Sequence, residues 1–151
     1  MIRSAGILLY RRGPALEVFL VHPGGPFWTA KDLGAWSIPK GVISPEEDPL
    51  AAARREFAEE TGMTPKGDAA PLGMFRLSGG KTLQAWAMEG DFDPARLASN
   101  SFQMVWPPKG GKLQSFPEVD RGQWFAKSEA LVRITKGQKP MLEKFFAAPP
   151  G

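Results

Sequence analysis

The chain has 151 residues, 42% of them hydrophobic and 23% charged, enough for one compact domain with a real core but not comfortably for two. Cysteine is absent, which excludes disulfides and thiolate metal centres. The formal net charge of +3, with no dense Lys/Arg run, suits a small anionic ligand and lends no support to nucleic-acid binding.

The first apolar stretch is broken at Arg11 and Arg12, too early to span a bilayer, and carries no small-residue cleavage pattern. The expectation is a cytoplasmic protein without a membrane partner, its oligomeric state left open. Residues 4–10 and 16–22 are apolar runs of strand length. Arg11-Arg12-Gly13-Pro14 reads as the turn between them, giving a hairpin. A Gly/Pro-rich loop follows from Pro23 to Leu33, and Trp36 to Pro39 reads as a short strand.

Asp48 to Thr61 is the clearest helix. Asp48 suits the N-cap, Pro49 the first helical position, and Gly62 a left-handed C-terminal residue. Leu50, Ala53 and Phe57 form its apolar stripe. Leu72–Arg76 and Thr82–Met88 read as strands about a Ser78-Gly79-Gly80 turn. Residues 89–101 read as loop, with a helical turn near Pro94–Ala98. Phe102–Trp106 reads as a strand, Pro107–Lys112 as a basic loop, and Val119–Phe125 as a short, partly apolar segment before a further helix capped by Ser128 and running through Arg133. Pro140 opens a last helix ending near Ala147. Strands, a helix, more strands and then helices predict a mixed sheet with helices packed on its faces, in one domain.

The chemistry is concentrated at the end of the first helix. Glu56, Glu59 and Glu60 are spaced i, i+3, i+4, which puts three carboxylates on one face. Such like charges cost a few tenths of a kcal/mol per pair. They also lie toward the helix C-terminus, where the dipole disfavours anions. Arg55 reaches only part of the cluster, so a further cation is called for, and oxygen ligands of this kind suit Mg²⁺. A bare E-x-x-E-E on a helix is usually a solvated acidic face. Its surroundings argue otherwise.

Gly41, Glu47, Arg55, Glu56, Phe57, Glu59, Glu60, Gly62 and Met63 fill every specified position of the pattern G-x5-E-x7-R-E-U-x-E-E-x-G-U, with U apolar. On those residues the chain resembles the Nudix hydrolase family. The resemblance implies an α/β (α+β) fold, the Nudix-type α/β/α sandwich with a mixed β-sheet. It implies a Mg²⁺-dependent pyrophosphohydrolase, with Mn²⁺ a possible substitute, that opens a phosphoanhydride bond by metal-activated water. Glu56, Glu59 and Glu60 match the family's metal ligands. The carbonyl of Lys40 is a candidate to complete the shell, and Glu118 is a candidate for an extra metal-binding or basic glutamate. Glu47 and Arg55 match the pair that braces the loop against the helix, and Gly41 matches the residue that opens that loop. The general base stays open between the helix glutamates and a glutamate of a later loop.

Two further stretches bear on the substrate. Trp36-Ser37-Ile38-Pro39-Lys40-Gly41 resembles the W-x-x-P-K-G entry of the dinucleoside-polyphosphate and diphosphoinositol branches, with Lys40 as a phosphate contact. Lys81-Thr82-Leu83-Gln84-Ala85-Trp86 resembles the phosphate-binding strand of dinucleoside tetraphosphate hydrolases. Lys81 fits, whereas Ala85 stands where a base-stacking tyrosine would be; Phe102 and Trp106 are the aromatic alternatives. The expected partner is a small nucleotide, either an NTP or a dinucleoside polyphosphate. The competing readings are ADP-ribose, a nucleotide sugar, a capped RNA end, or a non-catalytic nucleotide-sensing module.

Overall fold

The computed structural model describes residues 2–151. β1 (Ile2–Arg12) lies at the centre of a six-stranded mixed sheet of order β4-β5-β1-β2-β8. It runs parallel to β5 (Lys81–Glu89) from Ile2↔Lys81 to Tyr10↔Glu89. Its other edge is shared. The C-terminal end pairs antiparallel with β2 (Leu16–Pro23), and the N-terminal end pairs with β3 (Lys40–Val42) through Ser4↔Val42 and Gly6↔Lys40. β4 (Ala69–Leu77) closes one side of the sheet and β8 (Val119–Ala126) the other. The place where β1 exchanges β2 for β3 is the opening in which the candidate site lies.

Residues of β1 and β2 alternate between two cores, as the period-two geometry of a strand requires. Ile7, Leu9, Phe19 and Val21 pack with Ala52, Ala53 and Phe57 of α1 (Pro49–Thr61). Leu8, Tyr10, Val18 and Leu20 face α2 (Lys127–Arg133) and α3 (Lys139–Ala147) through Ala130, Met141, Leu142 and Phe145. The result is the expected α/β/α sandwich, and it explains why β1 is apolar at consecutive positions. Phe57 is fully buried; truncating such a residue to alanine costs about 3–5 kcal/mol. α1 is capped as its sequence predicts: Asp48 Oδ2 accepts from the Ala51 N–H at 3.0 Å, and Gly62 takes φ +83°.

The structure departs from expectation at three places. Trp36–Pro39 is not a strand. Trp36 and Ser37 make single bridges to Ile134 and Val21, and the strand starts at Lys40, because Pro39 has no N–H with which to carry a ladder through. Beyond the basic loop lies β7 (Lys112–Pro117), which pairs with β6 (Ser101–Trp106) in a separate two-stranded ribbon. Its residues are mostly exposed, so it has no buried face to impose an alternation on the sequence. Ser128 does not cap α2, which begins at Lys127 without a side-chain cap. The turns at Ser78–Gly80 and Pro94–Arg96 are short 3₁₀ segments.

Candidate active site

Three segments converge at the opening beside β1: the C-terminal half of α1, β3 with the loop that follows it, and the chain around Glu118. Arg55 ties the first two. Its Nε donates to Glu47 Oε2 at 2.8 Å and its Nη2 to Glu47 Oε1 at 3.0 Å, and Nη2 also reaches the Val42 carbonyl at 3.2 Å. Glu47 Oε1 in turn accepts the Ser44 N–H at 3.0 Å. These bonds, above all the Arg55 donors, hold the Glu47 carboxyl down at about 2. Arg55 and Glu47 thus bridge the loop and the helix.

The same guanidinium serves the acidic cluster. Arg55 Nη1 donates to Glu56 Oε1 and to Glu59 Oε2, each at 2.9 Å, leaving the second oxygen of each carboxylate outside the contact. Gly41 is required here by close approach, since a Cβ at this position would fall about 2.0 Å from the Glu56 carboxyl carbon. Burial raises the Glu56 carboxyl above its ordinary range, and the negative charges of Glu59 and Glu118 add to the shift.

Glu60 turns inward. Burial pushes its carboxyl up to about 8; the Lys40 ammonium opposes the shift, while Glu56 and Glu118 reinforce it. The i, i+3, i+4 spacing thus yields a graded set rather than three equal ligands: Glu59 is the most exposed, Glu56 is shielded against Gly41, and Glu60 is nearly buried.

Glu118 is distant in sequence and is brought in by the backbone. The Asn100 N–H donates to the Glu59 carbonyl, the Glu118 N–H to the Asn100 carbonyl, and the Gly24 N–H to the Glu118 carbonyl, each at 2.9 Å. Gly62 makes this possible, as a Cβ there would come within 3.0 Å of Ala98. Glu60, Glu118, Lys40 and Ser37 then line one cavity of about 180 Å³. A second cavity of about 340 Å³ shares Pro23, Ser37 and Lys40 with it and continues to Lys81. The two lysines singled out from the sequence therefore border one continuous depression.

Among the described residues, no three acidic side chains are already gathered as a ready ligand set. The donor chemistry nevertheless fits a hard divalent cation. The donors are all oxygen, and the nearly buried Glu60 faces Glu56 and Glu118 with the Lys40 ammonium as its own opposing charge, while Arg55 pairs with Glu56.

Of the aromatic alternatives, Phe102 packs on Phe116 within the ribbon, and Trp106 meets Phe27 of the Pro23–Leu33 loop edge-on with ring centroids 5.0 Å apart, so both rings are engaged in packing. Ala85 is buried in the core. Sequence reasoning passed over Trp28, Ser37 and Gln138. The one signal available was an adjacent Phe27-Trp28 pair in a Gly/Pro-rich loop.

This arrangement has relatives. Residues 2–145 match the NUDIX domain, and the chain belongs to the Nudix family. It is 32% identical over 114 residues to a nucleoside triphosphate pyrophosphatase/Nudix hydrolase fusion protein of Bifidobacterium longum, covering 70% of this chain and 23% of that protein. It is 41% identical over 56 residues to an RNA pyrophosphohydrolase of Caulobacter vibrioides, covering 34% and 33% of the two chains. The chain thus spans about a third or less of these curated relatives. Among solved structures, the fold is similar to a binary complex of C. elegans Ap4A hydrolase, with TM-score 0.64, 22% identity and coverage of 97% and 96%. It is also similar to the NUDIX domain of Shewanella oneidensis NrtR in complex with ADP ribose, with TM-score 0.66, 16% identity and coverage of 97% and 87%.

Proposed function

We propose that this protein is a divalent-metal-dependent pyrophosphohydrolase that cleaves a phosphoanhydride bond of a nucleoside polyphosphate, an NTP or a dinucleoside polyphosphate. The observation that carries this reading is the cavity that Glu60 and Glu118 line together with Lys40, beside Glu56 whose charge acts on Glu60, and its neighbour that runs from Lys40 to Lys81. Glu56, Glu59, Glu60 and Glu118, with the Lys40 carbonyl, are the candidate holders of Mg²⁺, or of Mn²⁺ in its place. A bound divalent cation neutralises phosphate charge and acidifies water. The chain's own residues divide the remaining work. The Lys40 and Lys81 ammonium groups attract and align the polyphosphate. Glu56 or Glu59 accepts the proton of the attacking water. Arg55 orients both of these carboxylates while holding loop 43–48 on the helix. A nucleotide substrate goes with a cytoplasmic location.

The test is a Mg²⁺-dependent hydrolysis screen with product identification over NTPs, dinucleoside polyphosphates, ADP-ribose, nucleotide sugars, diphosphoinositols and triphosphorylated RNA ends. Activity on a nucleoside polyphosphate, abolished in Glu59→Gln or Glu60→Gln without unfolding, is expected. Variants that turn over substrate like the parent would refute the metal assignment.

A further inference from the structure

We propose that Trp28 is the platform on which the substrate's base stacks; this deepens the nucleotide reading above and rests on it. The cavity of about 340 Å³ next to the carboxylates is lined by Trp28, Ser37 and Gln138 together with Lys40 and Lys81. That volume lies at the small end of ligand pockets, suited to a base with part of its sugar. Because Lys40 also borders the carboxylate cavity, a polyphosphate anchored there extends its nucleoside directly toward the indole.

Trp28 differs from the other tryptophans. Trp36, Trp86 and Trp124 are buried in the cores, and Trp106 is packed against Phe27. Trp28 remains 40% exposed beside a cavity that holds polar and cationic groups. Lys31 Nζ lies 5.0 Å from its ring centroid, a contact that leaves the rest of the exposed ring to a planar ligand.

The loop that carries Trp28 is anchored on both sides. At its start the Gly24 N–H donates to the Glu118 carbonyl at 2.9 Å. At its end His22 Nε2 meets the Lys31 carbonyl at 2.6 Å, while His22 Nδ1 meets Asp120 Oδ1 at 2.8 Å. Asp32 accepts from Trp36 Nε1 at 2.7 Å and from Arg133 Nη1 at 2.8 Å. Between these anchors, Phe27 turns to the β6–β7 ribbon and its neighbour Trp28 turns to the cavity. A loop anchored at both ends loses little backbone freedom when a ligand arrives, which favours stacking. The Gly24–Glu118 bond also links the platform to a candidate metal-binding carboxylate.

The test compares binding, in Mg²⁺, of purine and pyrimidine nucleoside triphosphates with methylene groups in both bridges against a methylene-bridged triphosphate lacking the nucleoside. The parent is expected to bind the nucleoside probes more tightly. Trp28→Ala should lose roughly tenfold or more on them, the loss of one base–aromatic stack. Trp28→Phe should recover most of that loss, and the nucleoside-free probe should bind all three proteins alike. Thermal melts confirm that the variants are folded. The platform is refuted if Trp28→Ala binds both kinds of probe like the parent, if it loses both equally, or if the parent gains nothing from the nucleoside. Because binding is read without turnover, the two readings separate. A parent that shows the stacking increment but hydrolyses nothing overturns the enzyme reading alone. A parent that hydrolyses NTPs while Trp28→Ala binds unchanged overturns the platform alone.

Discussion

Arg55 and Glu47 meet through two parallel contacts, Nε to Oε2 at 2.8 Å and Nη2 to Oε1 at 3.0 Å, so one guanidinium both closes loop 43–48 onto α1 and steers two further carboxylates. Lysine keeps the charge but cannot offer this planar fork. Arg55→Lys is therefore expected to lower kcat at least about tenfold, the scale of misplacing groups that act together. The melting temperature should fall by only a few degrees. Steady-state kinetics and a thermal melt on the same preparation check this.

Glu47 also predicts an acid response. Its folded carboxyl lies at about 2, below the ordinary 4.5, so the folded state binds fewer protons than the unfolded one between those values. The stabilisation is complete above pH 4.5 and is lost as pH falls toward 2. Urea unfolding of the parent and Glu47→Gln should give stabilities that differ most near neutral pH and converge in acid. A difference independent of pH would contradict the ion-pair account.

Glu60 has the opposite sign. Its folded carboxyl is raised to about 8, so the folded state binds more protons than the unfolded one from pH 4.5 to 8, and stability falls as pH rises through that window. In chelator at pH 8, Glu60→Gln should melt several degrees above the parent while being inactive with Mg²⁺. Equal melting temperatures at pH 8 would show that the buried charge is not the source of strain.

Gly41→Ala separates geometry from stability. The added Cβ meets the end of the Glu56 side chain, which can swing aside, rather than rigid backbone. The expected result is a melting temperature within a few degrees of the parent, with activity reduced at least about tenfold because a positioned carboxylate has moved. Activity and stability measured together decide the matter.

Lys81 borders the larger cavity beyond Lys40. Lys81→Ala should raise KM more for longer polyphosphates than for shorter ones, since a point charge contributes only where a phosphate reaches it. A profile that does not vary with phosphate number would remove Lys81 from the site.

The helix, its caps and the shared face of Glu56, Glu59 and Glu60 could be read from local spacing, because an α-helix converts i, i+3, i+4 into adjacency without help from the rest of the chain. The Glu47–Arg55 pair, with Glu47 outside the helix, came from the resemblance to the Nudix pattern. The strand at Lys40–Val42 was misplaced by a few residues, since its boundary depends on which partner β1 offers. β7 escaped notice because a ribbon exposed on both faces has no hydrophobic period to betray it.

By itself, the sequence determined the acidic cluster and the mixed sheet with helices on its faces, which follow from neighbours along the chain and from periodicity, while Gly41 and the Arg55–Glu47 pair were legible only through the match to the Nudix pattern. Only the tertiary structure decided that Glu60 is buried while Glu59 is half-exposed, that Glu118 arrives through a chain of backbone hydrogen bonds, and that Trp28 rather than Trp106 lines the cavity. Those outcomes depend on desolvation and on contacts between segments distant in sequence, such as Gly24 with Glu118 and Asn100 with Glu59, and the packing of the whole chain sets them.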